Sequence, residues 1–175
     1  MNLIDELGKF DGKRTAPLDK IAQRILHRKG IVNELIAFAQ SNDIKIQSAA
    51  TWLLKNLNEQ RNLFSEAQTV DLIDLLSNLN HWDAKLHVLQ ILPSLTIPSQ
   101  HFDPLQRNLK ANTQSENKLL RAWSFNGLAV LADQRSTSRS EVNRILSGAQ
   151  NDPAASVRAR IRQISKSLDW IILTN

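Results

Sequence analysis

The apolar residues of this chain recur three and four positions apart, in segments set off by polar and proline-containing joints. Four of those segments share one register. Starting at Arg158 and stepping back by about 37 residues reaches Arg121, Lys85 and Gln47. The residue before each is Val157, Leu120, Ala84 or Ile46, and the residue three after is Ile161, Ser124, Val88 or Ala50. Six after come Ile164, Gly127, Ile91 and Leu53; ten after, Leu168, Leu131, Leu95 and Leu57. Steps of four, three and four keep such residues on one stripe of a helix. A period of this length, with one amphipathic helix per unit, predicts a helical repeat array.

A second helix fits between each of these. The candidates are "IVNELIAFAQ" from Ile31, "TVDLIDLLSNL" from Thr69, "PLQRNLKAN" from Pro104 and "EVNRILSGAQ" from Glu141. Ser65 with Gln68, and Ser138 with Glu141, have capping-box spacing. Asp103-Pro104 and Asp152-Pro153 each offer an N-cap followed by proline at the first helical position. Ahead of the array, Leu18, Ile21, Ala22, Ile25 and Leu26 form one more stripe, with Thr15 as cap and Arg28, Lys29 and Gly30 as the stop. This reads as an N-terminal capping helix. The apolar end "LDWIILTN" reads as a segment folded back to cover the last repeat, because a stacked array must cover its end faces.

The stretch "NDPAASVRARIRQISKSL" resembles the HEAT-repeat superfamily: an Asp, Val-Arg with the Arg six residues on, then apolar residues at helix spacing. "KLLRAWSFNGLAVLAD" is the next closest, and the two earlier repeats are looser, with Gln47 where the family has Arg. The resemblance covers roughly residues 30–169. It implies an all-α, right-handed α-solenoid of about four HEAT-like helix pairs with an N-terminal capping helix. Residues 1–29 would be the cap, 30–169 the repeats and 170–175 the tail of one domain. It also implies that Lys85, Arg121 and Arg158 form a structural ladder of contacts to turns, with Asp152 as the partner of Arg158. The second helices of the pairs would line a concave surface. A fold of this kind assigns no activity by itself.

Composition narrows the function classes. Hydrophobic residues are 42% and charged residues 22% of the 175, enough for a sizeable core and a soluble surface. There is no Cys, which removes disulfides, thiol catalysis and cysteine zinc sites. The first residues, "MNLIDELGKFDGKR", hold no long apolar run, so no signal peptide is expected, and a cytoplasmic location is the default. No segment approaches the roughly 20 apolar residues of a membrane span. The net charge is +5. Basic residues cluster at Lys9, Lys13, Arg14, Lys20, Arg24, Arg28 and Lys29, and again at Arg135, Arg139, Arg144, Arg160, Arg162 and Lys166. Two basic ends are compatible with a nucleic-acid backbone as well as with a solvated face.

Positions two, five and nine after the reference residue point away from the core stripe. They read Ala49, His87, Trp123, Arg160; then Trp52, Gln90, Asn126, Gln163; then Asn56, Ser94, Val130, Ser167. Tryptophans beside amides and a cation are what binding surfaces enrich. The candidate binding residues are therefore Trp52, His87, Gln90, Trp123, Asn126, Arg160 and Gln163. Trp52 and Trp123 fit a place in the core as well as one on the surface. Catalysis has little support. The histidines, His27, His81, His87 and His101, have no metal-ligand spacing, and no GxSxG, GxGxxG or GxxxxGK motif occurs. No cofactor and no metal are expected. The reading is a non-catalytic module that binds a protein or peptide. The alternative is a sequence-tolerant nucleic-acid binder. Beyond it lies an enzyme like the alkylpurine DNA glycosylases built from HEAT-like repeats. Trp52, Trp82, Asp83 and Trp123 echo that family, but its aromatic-then-acid spacing of four is missing.

Overall fold

The computed structural model describes residues 2–61 and 64–174. All regular structure in them is helical, as the 3.6-residue spacing predicts. The chain forms two compact units, Met1–Leu95 and Thr96–Asn175.

In the first unit the helices are α1 (Leu3–Leu7), α2 (Ala16–Ile25), α3 (Ile31–Ala39), α4 (Ile44–Arg61), α5 (Glu66–Asn78) and α6 (Trp82–Ile91). Pro17 suits the first turn of α2, where its missing N–H has no partner to lose. Leu18, Ile21, Ala22 and Ile25 bury the expected stripe, and Leu26 closes it half-buried. This helix packs on α4, the place foreseen for a cap. The short α1, which the sequence pattern did not reveal, also packs on α4 and buries Leu3 and Leu7. The turn into α3 passes through Gly30 at φ 73°, a left-handed backbone that glycine adopts without strain. Helix α4 is the centre of the unit, against α3 on one side and α6 on another. Its Ala49, Ala50, Leu53, Leu54 and Leu57 are buried. Ser65 and Gln68 form the expected capping box at the start of α5.

In the second unit the helices are α7 (Phe102–Asn112), α8 (Lys118–Gln134), α9 (Arg139–Gly148) and α10 (Ala155–Ser167). Here α8 is central, packed by α7, α9 and α10. It starts at Asn117, whose side-chain oxygen accepts from the N–H groups of Leu119 and Leu120 at 2.9 and 3.3 Å. The reference register is borne out by burial in both units. Only Ile46 and Leu168, at the ends of their stripes, are half-buried rather than buried. Two of the four stripes outrun their helices. Pro93 cannot continue the α pattern, so α6 passes into a 3-10 turn, Leu92–Ser94, and Leu95 is buried from beyond it.

Several joints differ from expectation. Asp103-Pro104 lies inside the first turn of α7, which starts at Phe102 after a 3-10 turn. Asp103 is drawn away to Arg135. Ser138 is the N-cap of α9 as its spacing predicts, but its backbone is helical rather than extended and its side chain makes no cap, while Glu141 pairs with Lys110 and accepts from Gln106. Asp152 does not cap α10 directly. The helix begins at Ala155, and Asp152 accepts from the N–H of Ala154 at 2.8 Å. The end of the chain folds back as expected: Ile171 is buried, Ile172 is bonded to Asn143 of α9, and Thr174 to Ser147 of α9 and to Gln150 in the turn after it.

Candidate functional site

The reference positions turn out to be a set of turn braces. Gln47, Arg121 and Arg158 each donate to the carbonyl six residues earlier: Ser41 at 3.2 Å, Ser115 at 2.8 Å and Asp152 at 2.7 Å. Gln47 and Arg121 then reach on to the following repeat. The Gln47 oxygen accepts from the N–H of His81 at 3.2 Å. Arg121 makes a two-pronged pair with the Asp152 carboxylate at 3.1 and 3.0 Å. So the carboxylate of Asp152 belongs to Arg121, not to Arg158, which is held by the main-chain oxygens of Asp152 and Pro153. The pairing is strong because the planar guanidinium matches the two carboxylate oxygens. It holds Asp152 below the usual carboxylate range, chiefly through the Arg121 hydrogen bond. Lys85 departs from the ladder. Among the described residues it has no acidic partner, and its compact ammonium lacks the fork that reaches two carbonyls.

The candidate binding residues divide between the units. Trp52, His87 and Gln90 lie in the first. Trp52 and Gln90 are half-buried on α4 and α6. His87 is not on an open surface: its Nδ1 lies 3.1 Å from the Thr51 hydroxyl of α4. It belongs to a polar seam between α4 and α6. Asp83 in that seam accepts from Ser48 and pairs with His81, and Asn58 donates to Ser94 at 2.8 Å. Burial pushes the His87 imidazole down to about 4. Asp83 is thus tied into packing, as a first-turn residue of α6. The exposed tryptophan of this unit is Trp82, at 43%.

Trp123, Asn126, Arg160 and Gln163 share the second unit. Trp123 projects from α8 and Arg160 from α10, and the guanidinium carbon sits 3.9 Å from the centre of the indole ring. Both are half-buried, so neither the core nor the surface alternative for Trp123 holds alone. Partial burial lowers the affinity of Arg160 for its proton, although the group stays charged. No carboxylate among the described residues pairs with it. A cation on an indole face gains roughly 0.5–2 kcal/mol, more as water is excluded, which holds the guanidinium without neutralising it. One turn further along, α8 carries Asn126 and α10 carries Gln163. Their amides make no hydrogen bond among the described residues.

The charge is unequally divided between the units. Residues 1–95 hold 11 Lys and Arg against 11 Asp and Glu, and residues 96–175 hold 11 against 6. The whole excess of +5 therefore lies in the second unit. Of the seven basic residues expected at the N-terminal end, three are paired with acids: Arg14 with Asp11, Arg24 with Glu6 and Arg28 with Glu34. Helix α10 is the opposite case, with Arg158, Arg160, Arg162 and Lys166 and no acid. Among the described residues no group of acidic, histidine or cysteine side chains could hold a metal ion, and no helix is long and apolar enough to cross a membrane. Sequence reading missed the brace of Gln47 and the stacking of Arg160 on Trp123. The signal for the second was present, since both stand in the same column, 37 residues apart. Comparison of the chain with known protein families, curated proteins and solved structures finds no match.

Proposed function

We propose that this chain is a non-catalytic interaction module that receives an acidic segment of a protein or peptide on the Trp123–Arg160 face of the second unit. The observation that carries this is Arg160. It has given up part of its hydration to lie on Trp123, yet it has no counter-charge. An incoming carboxylate at 4 Å would interact with it by about 4 kcal/mol at an effective dielectric of about 20. Trp123 would supply the apolar anchor, and Asn126 and Gln163 the hydrogen bonds that orient a peptide backbone. The +5 of the second unit would draw an acidic partner in. The repeated brace at Gln47, Arg121 and Arg158 supports reading the helix pairs as units of a right-handed HEAT-like α-solenoid with a capping helix. The site would lie on the inner helices of that array.

The acid-free α10 favours one other reading, a nucleic-acid backbone in place of the acidic peptide. Selection from a displayed random-peptide library separates the two. The expected result is enrichment of sequences with Asp or Glu, lost on Arg160→Gln and weakened by about 2 kcal/mol on Trp123→Ala. Peptides that ignore both substitutions, or no enrichment at all, would overturn the proposal. So would micromolar binding of single-stranded DNA or RNA that collapses as salt rises, which is the signature of phosphate contacts.

A further inference from the structure

We propose that α9 is a reader of extended main chain, occupied by the chain's own residues 170–174, and that a like segment supplied in trans takes the same seat. The seat is distinct from the Trp123–Arg160 face. Asn143 binds Ile172 on both sides of its backbone, donating from Nδ2 to the carbonyl at 2.8 Å and accepting the N–H at 2.9 Å. Ser147 accepts the N–H of Thr174 at 3.1 Å, and Gln150 donates to the carbonyl of Thr174 at 3.0 Å. All four bonds address main-chain atoms. None depends on the identity of Ile172 or Thr174, and the Ile172 side chain is 70% exposed.

The spacing explains why a helix can do this. Asn143 and Ser147 are four residues apart, about 6 Å along a helix axis. Ile172 and Thr174 are two residues apart, about 6.6 Å along an extended strand. One helical turn therefore keeps step with every second residue of a strand. Asn143 and Ser147 fall on one face of α9, and Gln150 follows in the 3-10 turn Ala149–Asn151 that ends it, so the first part of the match is built into the helix itself. Selectivity enters at the near end. The Trp170 indole N–H donates to Asp133 at 3.0 Å, Arg139 lies over its ring at 5.3 Å, and Ile171 is buried. The fitting partner is an extended segment bearing a tryptophan followed by an aliphatic residue.

The test uses the full chain and a fluorescein-labelled peptide, LDWIILT, with binding read by anisotropy. Wild-type protein should bind it poorly, because its tail competes at the high local concentration of a tethered ligand. Trp170→Ala loosens the tail at its clamp. Ile172→Pro deletes one main-chain N–H of the tail without touching the core. Either should raise affinity for the peptide by ~10-fold or more, and adding Asn143→Ala to either should abolish the gain. In wild type, the Ile172 and Thr174 amides should exchange hydrogen far faster than that of Leu146 in α9. Equal protection at those amides would overturn the proposal. So would folded variants that do not bind the peptide, a gain that survives Asn143→Ala, or loss of helicity in both tail variants, which would make the tail part of the fold.

Discussion

Acid should weaken the first unit through one residue, His87. Its imidazole faces Thr51, with Asp83, Glu59, Lys55 and His81 around it, and burial is the main reason its proton affinity falls from the ordinary 6.5 to about 4. Lys55 and His81 push the same way, and Asp83 and Glu59 oppose them. A folded-state value below the unfolded one means the unfolded chain takes up the proton first. Stability from the neutral ring is thus complete above pH 6.5 and declines as pH falls towards 4. The gap corresponds to about 3 kcal/mol in full, of which about 2.5 kcal/mol is expressed between pH 7.5 and pH 4.5. The informative comparison is wild type against His87→Gln, which keeps an amide near Thr51 but cannot titrate. Urea unfolding followed by far-ultraviolet circular dichroism at several pH values gives the two profiles. Wild type should lose about 2.5 kcal/mol more than the variant across that interval, and hydrogen exchange should place the loss in α4 and α6. Parallel profiles would refute the reasoning.

The Arg121–Asp152 pair should show coupling of about 1–3 kcal/mol in a double-mutant cycle with Ala at each position. The pair is two-pronged and its side chains are only 15% and 12% exposed; urea midpoints would read the cycle. Leu53→Ala removes a fully buried side chain of α4 and should cost 2–5 kcal/mol by the same assay, with the spread set by how far α3 and α6 close the gap. Ser65→Ala deletes the cap that accepts from the Gln68 N–H and should cost about 1 kcal/mol, seen as faster hydrogen exchange in the first turn of α5.

The helical architecture was legible because burial has a period and the sequence shows it. Val157, Ile161 and Ile164 could be assigned to one buried stripe from spacing alone, and so they are buried. The five-residue α1 was not legible, because it is shorter than one repeat of the pattern that reveals a helix. Caps went astray where a capping residue had a partner elsewhere. Asp103 fits the N-cap rule, but it pairs with Arg135 and α7 starts at Phe102; Ser138 does stand at the N-cap of α9, but Glu141 pairs with Lys110 rather than closing the box. His87 shows the same limit. A helical wheel places it away from its own stripe, yet whether that face is open depends on the neighbour, and here Thr51 covers it.

Repetition also offers a way to see a site without a relative to copy from. Each brace position states what its side chain requires, and the structure shows whether the requirement is met. Gln47 is satisfied by a carbonyl and an N–H, Arg121 by two carbonyls and a carboxylate, and Arg158 by two carbonyls. Lys85, the fourth, is half-buried without an acidic partner among the described residues; Arg160, two residues after Arg158 on the same helix, also has no acid and lies in addition on an indole ring. Side chains that serve folding alone are rarely left half-buried and charged without a partner, since desolvation costs more than the packing returns. Departures from an otherwise consistent local pattern concentrate at functional positions. The proposed docking face is located by that cation on a ring, and its counterpart along α9 and the turn after it by the opposite case, polar side chains of Asn143, Ser147 and Gln150 bonded to the backbone of the tail.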